Sequence, residues 1–275
     1  MPGWDRDTPW RQGDTLTNDD AVRIGVVDGP LKNSIVVVIS HDCDLAAPPS
    51  IEPDVEVIIG RMVDRPDGNL TLAKSPRKLH LPFKGPGGDI WVELSSTAKV
   101  KFSKETWTGI KPCRDLSLPR NHRTTLQLWL AVRYRRSAFP DSFNERLSNT
   151  SLKETLAKIL EPLGEYIRAV FFDVDGGDEV RRNEPEDTYT LDIYLVFDTS
   201  GDPDKAETAA REAAEKITNE FKAKLFDGLN WKHIELRCCE TMSDEALSYK
   251  QSQYLRRWYL DHISLRSDTQ TLPAE

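Results

Sequence analysis

Ile35-Val36-Val37-Val38-Ile39 is an unbroken run of five β-branched residues. Such side chains are stiff about χ1 and fit a pleated strand better than a helix. A strand that is apolar on both faces must also be covered on both. The run therefore predicts a buried strand over residues 33–40 and a layered fold around it. The chain turns polar at once, in Ser40-His41-Asp42-Cys43-Asp44, and Pro48-Pro49 prevents the strand from simply continuing. The tetrad His41-Asp42-Cys43-Asp44 is expected in a loop at the strand end. If that loop is extended, Asp42 and Asp44 point one way and His41 and Cys43 the other.

The rest of the first hundred residues reads as short strands separated by turn residues. Val22–Val27 ends in Asp28-Gly29-Pro30, and Asp54–Ile59 supplies a further strand. Leu70–Ala73 and Lys78–Leu81 alternate after a hairpin-type turn at Asp67-Gly68-Asn69, and Ile90–Leu94 follows a plain loop, Gly85-Pro86-Gly87-Gly88. After Pro119 the period becomes helical, with Leu126, Trp129, Leu130 and Val132 on one face. Ser151 and Glu154 have capping-box spacing ahead of a second helix that Pro162 should break or kink. Strands are then expected at 169–174, 189–197 and 234–238. Asp202-Pro203 should open a long helix carrying Ala206, Ala210, Ala213, Ile217 and Phe221, and a last helix is expected from Asp244 to His262. The fold class is α+β: an N-terminal, mostly antiparallel sheet or partly open barrel, then alternating strands and helices. The expected division is a β-rich domain over 1–140 holding the candidate site and an α+β domain over 141–275, unless the two are continuous.

Composition narrows the class. With 275 residues, 38% of them hydrophobic and 30% charged, the chain can bury a full core. No apolar run approaches bilayer length, and Met1-Pro2-Gly3-Trp4-Asp5 has no secretory character, so no membrane partner and a cytoplasmic location are expected. The four cysteines, at 43, 113, 238 and 239, lack zinc-site spacing and suit reduced thiols; in a strand, at least one of the adjacent pair should be a core residue. Between Arg61 and Arg136 stand 16 basic and 6 acidic residues, a net +10 in a chain of −8, which leaves −18 for the remainder. Segregation of this kind suits a polyanion facing the middle of the chain, or complementary surfaces packed against each other. Lys99, Lys101, Arg120, His122, Arg123, Arg133, Arg135 and Arg136 are the expected DNA-binding residues. Trp107, Trp129, Tyr134 and Phe139, interleaved with them, suit base stacking, although Trp129 lies on an apolar helix face.

The tetrad places two carboxylates, an imidazole and a thiol within four residues. Two close carboxylates can hold a base beside an acid, or a metal. The plainer reading is an Asx-turn at Asp42 or Asp44 with Cys43 in the core. Asp173-Val174-Asp175 resembles a magnesium-binding strand end in isolation, but the motif is weak. His80, His122, His233 and His262 are isolated, and of these only His122 lies where it would touch phosphate.

Three segments carry a resemblance: Trp10-Arg11-Gln12-Gly13-Asp14, Ser40-His41-Asp42-Cys43-Asp44, and Ala138-Phe139-Pro140-Asp141-Ser142-Phe143-Asn144-Glu145-Arg146. Their layout resembles a group of bacterial proteins met near phage-defence genes, and is similar to an antiviral DNA glycosylase that removes modified cytosine from phage DNA. The resemblance covers mainly the first 150 residues and assigns no catalytic residue, so roles follow from the chemistry. Hydrolysis of an N-glycosidic bond builds positive charge on the sugar, which a fixed carboxylate stabilises. Asp44 is the first choice for that group, Asp42 the second, with His41 beside them. The base would leave the stack for a pocket. Neither metal nor cofactor is required, and the expected partner is DNA, that of a phage. The alternatives are a metal-dependent nuclease using Asp42, Asp44, Asp173 and Asp175, a Cys43 hydrolase with His41 as base, and a non-catalytic module that senses nucleic acid.

Overall fold

The β-branched run forms β1 (Ser34–Val38), in which Val36, Val37 and Val38 are wholly buried. The computed structural model describes residues 4–27, 29, 31–132, 139–178, 182, 184 and 187–259. The architecture is α+β and divides into two units, Met1–Pro66 with Pro76–Arg133, and Asp67–Ser75 with Tyr134–Glu275. No helix among the described residues is long and apolar enough to cross a membrane.

In the first unit β1 pairs antiparallel with β2 (Asp54–Val63), Val37 opposite Ile58. The far edge of β2 is shared end to end: β5 (Lys99–Ser103) pairs with its first half and β4 (Gly88–Ser95) with its last three residues. β3 (Lys78–Gly85) lies outside β4. Every pairing is antiparallel and the sheet does not close. The Gly85–Gly88 stretch is not a plain loop but the two-residue turn of the β3–β4 hairpin, with Gly88 at φ +118°. The outer edge of β1 is occupied by residues 13–16: Gly13 N donates to Val38 O at 2.8 Å, Val38 N to Asp14 O at 2.8 Å, and Leu16 N to Val36 O at 3.2 Å. One face of this sheet packs Val36, Val38, Val55 and Val57 against Trp10, Leu16, Leu45 and Trp107. The 13-residue α3 (Arg120–Val132) lies against β3, its Leu126, Trp129 and Val132 buried.

The expected strand at Val22–Val27 is replaced by α1 (Asn18–Arg23) and the turns after it. Thr17 caps this helix by accepting the Asp20 amide at 3.1 Å, and Asp19 and Asp20 sit in its first turn. Capping and dipole complementarity thus outweigh the local β-propensity. The expected loop at the tetrad is a one-turn helix, α2 (Asp42–Ala46).

The second unit is a four-stranded sheet in the order β8-β7-β6-β9, formed by β6 (Ile167–Val174), β7 (Tyr189–Phe197), β8 (Ile234–Ser243) and β9 (Arg256–Arg257). Only β7 and β8 are parallel, and the 23-residue α6 (Pro203–Leu225) connects them, as a parallel pair requires. Asp202 caps α6 by accepting the Lys205 amide, and its alanine stripe is buried as the spacing predicts. α4 (Asp141–Asn149), α5 (Leu152–Leu160) and α6 share one core with Phe172, Leu191, Ile193 and Leu195.

Three expectations fail here for identifiable reasons. Ser151 lies at φ +54° and makes no side-chain cap, so the capping box does not form, although α5 does stop before Pro162. Leu70–Ala73 forms turns instead of a strand, with Leu72 and Ala73 at φ +52° and +56°. It belongs to the segment 67–75, which backs so closely onto the turn at Glu161–Gly164 that a Cβ on Gly68 would stand 1.9 Å from Glu161 O. The helix expected from Asp244 to His262 is reduced to α7 (Tyr249–Tyr254), followed by β9; residues 260–262 lie outside the described set. Trp258 stacks on Phe172 with centroids 4.9 Å apart, and burial of that ring fixes the chain beside β6 rather than along a helix axis.

The third quoted segment is structural. Arg146, buried on α4, donates to the carbonyls of Arg182, Glu184, Asp187 and His233 at 2.7–2.9 Å and lies 5.0 Å from the Tyr189 ring. Ser142 Oγ is 2.6 Å from Tyr189 OH, and Phe143 is fully buried.

Candidate functional site

The tetrad turn is held at four points. His41 precedes α2 and its Nδ1 accepts the Cys43 amide at 3.2 Å, which caps the helix. Asp42 Oδ1 accepts the Gln12 amide at 2.7 Å. Leu45 is wholly buried in the core. At the C-terminal end Lys104, itself fully buried, donates through Nζ to the carbonyls of Asp44 and Ala47 at 2.5 and 2.7 Å. Its cation also stands 5.1 Å from the Trp4 ring. Lys104 belongs to the basic middle segment, yet it turns inward and closes a helix end instead of facing a polyanion.

These bonds decide what the tetrad presents. Asp42 and Asp44 sit in a helical turn, so the extended-loop alternation does not apply. Asp42 is engaged by Gln12, while Asp44 and Cys43 are exposed, so Cys43 does not fill the core. With Nδ1 accepting an amide, the neutral His41 ring carries its proton on Nε2. It offers an outward donor, and its acceptor nitrogen is taken by the Cys43 backbone rather than the thiol.

Asp42 ties the tetrad to the Trp10–Asp14 segment, where a second group of candidate residues stands. Gln12 is buried, its Nε2 donating to Ile39 O at 2.7 Å and its Oε1 without a partner among the described residues. Gly13 turns the chain at φ +91°, where a Cβ would stand 2.8 Å from Leu118 Cδ2. The turn delivers Asp14 half-buried, its Oδ2 accepting the Arg11 amide at 2.8 Å. Burial pushes the Asp14 carboxyl up, against the lowering pull of that amide bond and of the Arg114, Arg123 and Arg11 guanidiniums. Arg114 is exposed, and Arg123 keeps a buried Nε with no partner among the described residues. A half-buried carboxyl raised by burial, under the pull of three guanidiniums and two residues from the Gln12 amide that bonds Asp42, can exchange a proton with a bound group while the arginines attract an anion. Asp14, Gln12 and Arg114 were not among the expected site residues; the quoted Trp10–Asp14 segment holds the first two, and Arg114 lies in the basic middle segment.

The expected DNA-binding residues are placed unequally. Lys101 is exposed but paired with Glu56 at 3.0 Å. Lys99 is half-buried at the start of β5. Arg120 is exposed at the start of α3, with His122 and Arg123 half-buried behind it. Burial holds the His122 imidazole below its usual range, with Lys84 adding to this and Asp89 opposing it. Arg133, Arg135 and Arg136, like Tyr134, lie outside the described residues. Trp107 and Trp129 are buried at 2% and 1% exposure and cannot stack on a base, and Phe139 packs on Phe143 and Phe172.

In the second unit Asp175 accepts from the Thr190 amide and hydroxyl and pairs with Arg182 at 2.8 Å. The second carboxylate of the strand-end pair, Asp173, lies opposite Asp192 in the sheet and keeps a buried Oδ1 with no partner among the described residues. Burial pushes the thiols of Cys238 and Cys239 up to about 11 and about 12; Cys239 packs on the core. Among the described residues no three His, Cys, Asp or Glu side chains converge as metal ligands do. Comparison with known proteins finds no family model, no curated protein and no solved structure that matches this chain.

Proposed function

We propose that the chain is a DNA-directed hydrolase that breaks the N-glycosidic bond of a modified base, with Asp14 in the role the sequence alone gave to Asp44. The observation that carries this reading is the half-buried Asp14 carboxyl, raised by burial against the pull of the Arg114, Arg123 and Arg11 guanidiniums. Departure of a base needs a group that handles a proton, and negative charge close to the sugar as positive charge builds there. A carboxyl in a site of reduced dielectric supplies both more effectively than one in open solvent, which is where Asp44 lies. The arginines suit phosphate oxygens on either side of the extruded nucleotide. Asp42 positions the Asp14 segment through Gln12, and His41 offers its Nε2 proton from the adjoining turn.

The test is to incubate the purified protein with modified and unmodified DNA, with and without EDTA, and to assay free base, abasic sites and nicks. Released base and abasic sites, insensitive to EDTA, are the expected products. Asp14→Asn should lower the rate on the order of a hundredfold, whereas Asp44→Asn should stay within a few-fold of wild type. EDTA-sensitive nicks without abasic sites would make the protein a nuclease, and binding without conversion would make it a sensing module.

A further inference from the structure

The second unit encloses a small void lined by Asn69, Lys74, Leu160, Val170, Arg257 and Trp258. Its volume, about 10 Å³, admits a single small group, a water or a monatomic ion. Two of the lining residues are cations. Lys74, 9% exposed, donates through Nζ to Gly68 O and Gly164 O at 3.0 Å each, which uses two of its three protons. Arg257 donates through Nη2 to Leu72 O at 3.1 Å and Arg168 O at 3.2 Å. Neither makes an ion pair with a carboxylate among the described residues.

Buried charge is costly unless a counter-charge compensates it, and two like charges beside one void compound the cost. Leu160, Val170 and Trp258 keep the surroundings apolar. Burial, with repulsion from Arg257, lowers Lys74 to about 7, against the pull of Asp67 and Asp198. Asp198 is itself engaged by Arg168 at 2.5 Å. Asn69 Nδ2 donates to Ala157 O, and its Oδ1 is buried without a partner among the described residues.

We propose that this void is a binding site for a small monovalent anion of chloride's size, held by the free Lys74 proton and the Arg257 guanidinium. The site would fasten the segment 67–75 within its unit by supplying the counter-charge that the fold withholds. Water is the competing occupant, favoured by Asn69 Oδ1, and the two differ in their response to salt and pH. An anion binds the protonated lysine, so its effect must fade as pH rises through about 7.

The experiment is thermal unfolding of the full chain in sodium chloride against sodium gluconate at matched ionic strength, at pH values on either side of neutrality. A saturable rise of about 3–6 °C at ten times the dissociation constant is expected in chloride, larger in acid than in base. Lys74→Met should abolish the chloride increment. Equal melting temperatures in the two salts, at a pH where Lys74 is charged, would overturn the proposal. So would a chloride increment that is the same at both pH values, or one that survives in Lys74→Met. Should that variant fail to fold, the wild-type comparison across pH decides alone.

Discussion

Glu93 shows how one residue can gather the charge of a whole sheet. It lies opposite both Arg61 and His80 in the strand register, so three strands bring their side chains onto one carboxylate. His80 Nε2 is 3.1 Å from Oε2, Arg61 is 3.1 Å from Oε1, and Lys78 is 3.7 Å from Oε1. The His80 hydrogen bond, then Lys78 and Arg61, hold the Glu93 carboxyl down at about 2, against the opposing effect of burial. A carboxyl lowered by folding contributes stability above its ordinary value of 4.5, and that contribution is lost as pH falls from there to about 2. With solvent screening at a partly open site, the contribution is on the order of 2 kcal/mol. Urea unfolding of wild type and Glu93→Gln at a series of acidic pH values should show the wild type losing more stability across that window. Parallel curves would assign the acid sensitivity to other carboxylates.

At the level of the element, α2 illustrates a helix too short to stand by itself. A single turn has almost no intrinsic stability, because nucleation costs more than the first hydrogen bonds return. What holds α2 comes from outside it: His41 at the N-terminus, Gln12 on Asp42, the burial of Leu45, and Lys104 on the last carbonyls. Lys104→Met keeps the apolar stem but leaves the Asp44 and Ala47 carbonyls unpaired, at a cost of about 1–3 kcal/mol. Amide exchange should therefore quicken over 43–47 while the β1–β2 ladder keeps its protection. Unchanged exchange in the turn would show that the Leu45 anchor suffices. Nothing local foretells this helix, since its decisive partners lie 30 and 60 residues away in sequence. By contrast α6 was legible in advance because its cap, its proline and its alanine stripe are all local signals.

For the whole molecule, the net +10 between Arg61 and Arg136 is not a free surface charge. Lys74 and Lys104 are buried on carbonyls, Arg61 and Lys78 serve Glu93, Lys84 pairs with Asp89 and Lys101 with Glu56. Arg114, Arg120 and Arg123 make no ion pair with another described residue, nor do Arg65, Lys99 and Lys111, and under the proposed function the three arginines near Asp14 and at the start of α3 are the ones that meet phosphate. If they do, Arg114→Ala, Arg120→Ala and Arg123→Ala together should weaken DNA binding and flatten the logarithmic salt dependence by about 2–3, since roughly one counterion is released per phosphate contact. An unchanged slope in the folded triple variant would remove these residues from the interface. The sequence by itself determined the α+β class, most of the strands and the long helix, because hydrophobic period, proline and capping act over a few residues. It also determined that something polar follows the buried strand. Only the tertiary structure decided that the tetrad is a capped turn, that Asp42 accepts the Gln12 amide while Asp14 is half-buried, and that Lys74 and Lys104 are interior. Those outcomes rest on burial and on partners far away in the chain, and a residue's charge shows neither until the backbone has folded around it.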